Sequence, residues 1–362
     1  MTPLIIPIFL PSLGCRERCL FCNQKASAEG LPSPSSVRNF IETSLSRIPS
    51  DKKNREKQVA FYGGSFTAIP KDDQALYLKE VQPFLASGLI DSIRISTRPD
   101  ALDEETFSLL KEYRVKTVEV GVQSMIDEVL LQAHRGHFAE DTLTATLLLK
   151  RYGFEVGHQL MIGLPGDTCD RFLQTLDQII QLKPDFLRIH PTLVLEGAPL
   201  KNLWIAGGYS PISLDEAIQW LKKGILRLEK SSISVARIGL QPTTELERDY
   251  LAGPYHPAFR QLIESAIFFD MATSLLQVFQ KKGQALFLCH PKEVSNLRGQ
   301  RNNNILKLKK HFKLSEILIE GRQELPRGSL GLQTQDGEVS IHRKSLGFNE
   351  ELGRGVGCPP LI

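Results

Sequence analysis

Six short apolar runs, each followed by a longer amphipathic stretch, constrain this chain more than any other feature of its sequence. The runs lie at residues 4–9, 58–62, 92–96, 117–121, 155–162 and 185–190, and stretches of helical periodicity at 35–48, 71–87, 103–112, 138–152 and 168–182. Alternation of this kind predicts β/α units and a parallel sheet, because parallel neighbours need a crossover between them. A further helix at 213–229 and a short strand at 233–239 close the region. Several runs end at once in polar or glycine-rich residues: Gly63-Gly64-Ser65, Thr97-Arg98-Pro99-Asp100 and Gly163-Leu164-Pro165-Gly166. Ligands of parallel β/α folds sit beyond the carboxyl ends of the strands, so this punctuation falls where a site is expected.

The character of the chain changes near Gly253-Pro254. Residues 1–250 are expected to form a core domain and 251–362 a smaller accessory α/β domain. The latter would comprise an apolar helix at 259–279, a strand at 285–289, a basic helix at 292–312 and strands near 316–321, 328–334 and 338–343. A length of 362 residues suits one large domain plus a smaller one. The net charge of +3 hides an asymmetry: residues from 251 on hold 15 Lys/Arg against 10 Asp/Glu, and the first 250 hold 29 against 31. No run approaches the ~20 apolar residues that span a bilayer. The apolar start is short, interrupted by Pro3 and Pro7 and preceded by no basic residue, so no signal peptide is expected. The chain is read as cytoplasmic, with no membrane partner.

Three of the six cysteines crowd into Cys15-Arg16-Glu17-Arg18-Cys19-Leu20-Phe21-Cys22, directly after the first apolar run. Such crowding points to metal or redox chemistry rather than to a disulfide framework. Cys15, Cys19 and Cys22 could hold three corners of a cubane iron–sulfur cluster, leaving the fourth iron open to a small molecule. Phe21 could shield that cluster from solvent, and Arg16 and Arg18 place positive charge beside an anionic centre. Structural zinc is the alternative, and it would need a fourth ligand from afar, such as His134 or His137. Cys169 and Cys289 read as packing residues and Cys358 as a tail thiol.

A C-x3-C-x-aromatic-C motif after the first strand of an alternating β/α chain resembles the radical S-adenosylmethionine superfamily. The resemblance implies a partial (β/α)6 TIM-like barrel, open on one side, with a small C-terminal α/β module. It also implies a [4Fe–4S] cluster and S-adenosylmethionine as cofactors, with a reductase or a flavodoxin or ferredoxin as electron donor. Further motifs extend the likeness over about residues 1–245. Gly63, Gly64 and Ser65 resemble the glycine-rich motif that receives the methionine ammonium. Gln123, in Glu119-Val120-Gly121-Val122-Gln123, would contact the ribose. Arg135, in His134-Arg135-Gly136-His137, would pair with the methionine carboxylate. Gln159, Met161 and Ile162 resemble the adenine-side motif.

Ser96-Thr97-Arg98-Pro99-Asp100, Arg188-Ile189-His190-Pro191 and Arg237-Ile238-Gly239 resemble the radical domain of the Elongator catalytic subunit family, which acts on tRNA uridines. The coproporphyrinogen-oxidase-like branch is a second likeness. Arg98 and His190 would then face the cavity as catalytic residues. The Elongator family also carries an acetyltransferase domain. About 110 residues after 250 is short for one with its linkers, so acetyl transfer is not carried over. Arg298, Arg301, Lys307, Lys309, Lys310 and Lys313 occur between 298 and 313 without an acid, and such a segment can hold RNA phosphates. The expectation is a radical enzyme acting on RNA, with a metabolite or peptide substrate, or a cluster- or zinc-stabilised RNA-binding module, as the rivals.

Overall fold

A computed structural model describes residues 3–15, 18–23, 32–52, 54–231, 233–279 and 283–346. Arg16 and Cys358 lie outside the described residues. The chain divides into two compact units, one of residues 1–213 with 233–255, the other of residues 214–232 with those from His256 on.

The first unit contains β1 (Leu4–Phe9), β2 (Lys57–Tyr62), β3 (Ser92–Thr97), β4 (Val115–Gln123), β5 (Glu155–Ile162), β6 (Phe186–Pro191), β7 (Val194–Leu195), β8 (Ser234–Ile238) and β9 (Tyr250–Ala252). Seven of these form one parallel sheet in the order β1-β2-β3-β4-β5-β6-β8, while β7 and β9 pair antiparallel. Among the described residues the sheet does not close, since β1 and β8 each have a single neighbour. This is the expected open barrel, with the short strand at 234–238 as its seventh member.

Side chains alternate between the two faces of a strand. One face carries Val59, Phe61, Ile93, Ile95, Val118, Val120, Val156, Leu160 and Leu187, each essentially inaccessible to solvent. Helices cover it. The helix Cys169–Leu182 is typical: Thr168 caps its start by accepting from the Arg171 N–H, and Phe172, Leu176 and Ile179 bury one stripe. Burying such side chains contributes about 1.5–3 kcal/mol apiece. The other face is polar, carrying Gln58, Tyr62, Ser92, Arg94, Ser96, Thr117, Glu119, Gln123, Gln159, Arg188 and His190. It lines the lumen.

Two expected helices are broken, each for a local reason. The stretch at 71–87 forms Lys71–Lys79 and Gln82–Ala86, because Pro83 lacks an N–H and is tolerated only in a first turn. The stretch at 292–312 forms Val294–Arg298 and Asn303–Phe312, with Gly299, Arg301 and Asn302 between them at positive φ. The sequence reading missed the short helices Asp127–Gln132, Leu200–Ile205 and Thr244–Asp249.

In the second unit, Leu214–Leu228 and Phe259–Val278 are the long helices. Its sheet runs β11-β10-β12-β13, where β10 is Gly283–Cys289, β11 Leu314–Gly321, β12 Ser329–Thr334 and β13 Gly337–His342. The buried Arg343 pairs with both Glu229 and Glu264. Among the described residues no helix is long and apolar enough to cross a membrane.

Gly157 offers a test of how tightly the lumen floor is packed. It lies opposite Phe186 in the β5–β6 register, and a Cβ there would sit 2.2 Å from the ring. Gly157→Ala should destabilise the chain by about 1–3 kcal/mol in urea unfolding. Adding Phe186→Leu should recover part of that loss. An unchanged midpoint for Gly157→Ala would contradict this packing.

Candidate active site

The cysteine-bearing segment leaves β1 and is pinned by backbone contacts on both sides. Leu10 N–H donates to Tyr62 O (2.7 Å), Ser12 N–H to Gly63 O (3.1 Å), and Ser65 N–H to Leu13 O (2.9 Å). Further along, Leu20 N–H donates to Ala133 O (3.1 Å) and Leu20 O accepts from Leu200 N–H (2.8 Å). The approach to β2 needs glycine. A Cβ on Gly64 would lie 2.2 Å from Leu13 O, and Gly63 takes a φ of +98°. The glycine pair thus lets the thiol loop lie directly against the end of β2.

The three cysteines, Phe21, Gly63, Gly64, Arg98, Gln123, Arg135 and Gln159 all line one cavity of about 340 Å3, together with Glu119 and Gly121. Cys15 opens to it, Cys22 is half-buried and Cys19 is buried. Arg135 donates through Nη1 to Cys19 Sγ (3.2 Å) and through Nη2 to Gly121 O (2.6 Å). Burial, and then the neighbouring Cys19, push the Cys15 thiol up, while Arg135 and Arg98 act in the opposite direction. Arg98 is held by two 2.9 Å hydrogen bonds to Asp100. Gln123 stands at a break in the β4–β5 register with φ +66°. Among the described residues its Oε1 and the Nε of Arg135 are buried with no hydrogen-bond partner.

Four of the residues singled out in the sequence lie elsewhere. Ser65 is buried and shares a 3.0 Å hydrogen bond with the Thr97 hydroxyl, while its own oxygen accepts from Arg98 N–H. Met161 packs with Val129, Ala133 and Leu164, against which Phe21 also lies. Ile162, the next residue, is fully buried. His190 is half-buried on the lumen face of β6, outside the lining of this cavity.

The donor set of this cavity, three thiols beside the guanidiniums of Arg98 and Arg135, fits an iron–sulfur cluster. One zinc needs four donors converging at about 2.0–2.3 Å. Among the described residues no three His, Cys, Asp or Glu side chains converge in that way. His137 bonds instead with Val122 O (3.3 Å), and burial followed by Arg135 pushes its imidazole down to about 3. His134 lines a different cavity. A cubane takes one thiolate per iron, so its ligands stand apart around a larger body. The guanidiniums of Arg135 and Arg98 suit the negative charge of such a centre. The unpartnered Gln123 and Arg135 atoms leave polar capacity for a second, small ligand.

Sequence reasoning overlooked a buried charge network in the lumen. Glu119 Oε1 accepts from Arg94 Nη1 (2.7 Å) and from the Tyr62 hydroxyl (2.8 Å), and Oε2 pairs with Arg188 Nε (3.1 Å). Gln58 Oε1 accepts from Arg94 Nε (3.0 Å). Burial, and then Glu119, push the Tyr62 phenol up. The signal was available: Glu119 and Arg94 alternate with valines and isoleucines at the lumen period. A second cavity, of about 550 Å3, is lined by Leu20, His134, the loop after β5, Leu203 and Tyr209. There Asp167 accepts from Gly163 N–H and Thr168 N–H, both at 2.9 Å, yet burial pushes its carboxyl up to about 7.

Residues 9–179 match the Radical SAM superfamily and residues 184–268 the Radical_SAM C-terminal domain. The tRNA uridine(34) acetyltransferase of Methanocaldococcus jannaschii is 38% identical over 128 residues, which are 34% of this chain and 24% of that protein. Protein YhcC of Escherichia coli strain K12 is 26% identical over 205 residues, 56% of this chain and 64% of that protein. The chain therefore spans about a quarter of the first relative's length and under two thirds of the second's. Among solved structures, an N-terminally deleted Elp3 of Methanocaldococcus infernus shares the fold. Its TM-score is 0.60 at 22% identity, over 74% of this chain and 63% of that chain.

Asp167 makes stability in this region depend on pH. Its folded value lies above the ~3.9 of an unfolded aspartate, so the folded chain binds the extra proton between about pH 4 and 7. The fold should lose stability as pH rises through that window. Asp167→Asn should flatten this part of the curve, gaining stability relative to the parent between pH 4 and 7.5 in parallel urea titrations. Parallel pH profiles for the two proteins would contradict the assignment.

Proposed function

This chain belongs to the radical SAM superfamily, and from that premise we propose that it is a radical enzyme acting on RNA, with a tRNA uridine as its substrate. The observation that carries the reading is the sharing of one cavity by Cys15, Cys19, Cys22, Gly63, Gly64, Gln123 and Arg135.

In this reading the three thiolates hold a [4Fe–4S] cluster. When bound, the reduced cluster supplies the electron that cleaves S-adenosylmethionine to methionine and a 5′-deoxyadenosyl radical. The protein's residues bind, orient and exclude water. Phe21 closes one side of the centre by packing on the Val129–Met161 group. Gly63 and Gly64 admit the methionine end close to the main chain. Arg135 offers a planar guanidinium fork to the methionine carboxylate, and Gln123 its free carbonyl oxygen to the ribose. Gln159 borders the nucleoside side. Met161 sustains that side from beneath through Phe21, Ser65 does so by fixing Thr97 and Arg98, and Ile162 anchors the strand on the helix side. Arg98, tied to Asp100, and His190 face the substrate.

The RNA assignment draws on the strings around Arg98, His190 and Arg237 and on the relative named as a tRNA uridine(34) acetyltransferase. Acetyl transfer is not carried over from that relative. Exposed Arg298, Arg301, Lys307, Lys310 and Lys313, with half-buried Lys309, offer phosphate contacts.

Anaerobically reconstituted full-length protein, given dithionite and S-adenosylmethionine, should carry about four irons per chain and release 5′-deoxyadenosine, faster with tRNA present. Alanine at Cys15, Cys19 or Cys22 should abolish both cluster and nucleoside, and Cys358→Ala neither. Binding of tRNA should weaken steeply with salt and lose much of that slope when the six basic residues are neutralised. Zinc in place of iron would overturn the enzyme reading. Nucleoside release indifferent to tRNA, with no salt-dependent binding, would overturn the RNA reading alone.

A further inference from the structure

The lumen holds more positive charge than its own acids neutralise. Glu119 is shared by Arg94 and Arg188. Arg237 on β8 is the direct register partner of Arg188 on β6. Like charges placed directly opposite each other on a sheet are destabilising. Arg237 has no carboxylate to relieve this: among the described residues its side chain donates to the neutral amide oxygen of Gln241, at 2.5 Å. It is half-buried, and burial and then Arg188 both work against its charge.

The position of the pair adds to the argument. Arg188 is also the register partner of Gln159, which lines the cavity that holds the cysteines. Register partners share a face and adjacent strands lie about 4.8 Å apart, so Gln159, Arg188 and Arg237 form a row across three strands. His190 lies two residues beyond Arg188 on the same face, nearer the carboxyl end of β6. Burial, followed by Arg188 and Arg237, pushes it down to about 4, so at neutral pH it is an uncharged hydrogen-bonding group that adds no third cation. Two adjacent guanidiniums with one neutralised and one not form a receptor for a planar or tetrahedral oxyanion.

We propose that Arg188 and Arg237 bind an oxyanion of the reacting molecule, a phosphate or a carboxylate, beside His190, and so make the lumen selective for acidic substrates. This deepens the radical-enzyme reading: the anchored anion would hold the molecule in the row that leads to the cavity. With an RNA nucleotide, the anion would be its phosphate.

The test is calorimetric binding to the full-length chain of three probes: uridine 5′-monophosphate, uridine and succinate. The phosphate-bearing probe or the dicarboxylate should bind at least about tenfold more tightly than uridine, and which of them does so names the oxyanion. Arg237→Gln should weaken that binding by about tenfold or more, and Arg237→Lys should restore part of it. Binding of both anions no tighter than that of uridine, or unchanged within twofold in Arg237→Gln, would overturn the proposal. Such binding needs no reduced cluster, so failure here is distinct from a failure to release 5′-deoxyadenosine.

Discussion

Each strand of the seven-stranded sheet has to satisfy two surroundings at once. One face is sealed under helices and is mostly apolar. The other lines a lumen and can carry charge. Because side chains alternate, this demand fixes which residues can reach a ligand. Gln58, Arg94, Glu119, Gln159 and Arg188 follow from it, as do the valines and isoleucines between them. His158 is a polar residue on the sealed face, where its Nε2 shares a 2.9 Å hydrogen bond with the Thr146 hydroxyl. Burial pushes its imidazole down to about 3, so it stays neutral inside the helix layer.

Charges taken out of water need partners, and their desolvation penalty is several kcal/mol per ion. The lumen meets this by centring two arginines and a tyrosine on one carboxylate, Glu119. That arrangement ties β2, β3, β4 and β6 together below the cavity. Above it, the thiol loop is fixed by main-chain hydrogen bonds and by the side chains of Arg18, which donates to Gly197 O (2.7 Å), and Asn23, which donates to Asp249 (2.9 Å). Arg135 arrives from a separate turn to meet Cys19. A rigid polar floor and a backbone-pinned rim are what a site for a charged centre needs.

Much of this was legible in the sequence, for physical reasons. The strands of the barrel read correctly to within about two residues because each keeps an apolar residue at every second position and ends at a polar or glycine-rich turn. The cysteine triplet, the glycine pair, Gln123 and Arg135 converge because they follow strand ends of one sheet. The remaining differences come from ignoring the two-residue period. Gly64 continues the lumen face of Gln58 and Tyr62, so Ser65 turns toward Thr97. Met161 and Ile162 are neighbours, so they cannot share a face, and Ile162 goes to the sealed one. The break between 298 and 303 is hidden from periodicity, since Arg301 and Asn302 take left-handed conformations that only Gly299 hints at.

The central claim is that Cys15, Cys19 and Cys22 hold a cluster with one iron open to S-adenosylmethionine. Electron paramagnetic resonance of the reduced, reconstituted full-length protein, recorded with and without S-adenosylmethionine, tests it most directly. A reduced four-iron signal whose g values shift on addition of S-adenosylmethionine is the expected result. A signal that S-adenosylmethionine leaves unchanged, or protein that holds zinc and gives none, would contradict the account.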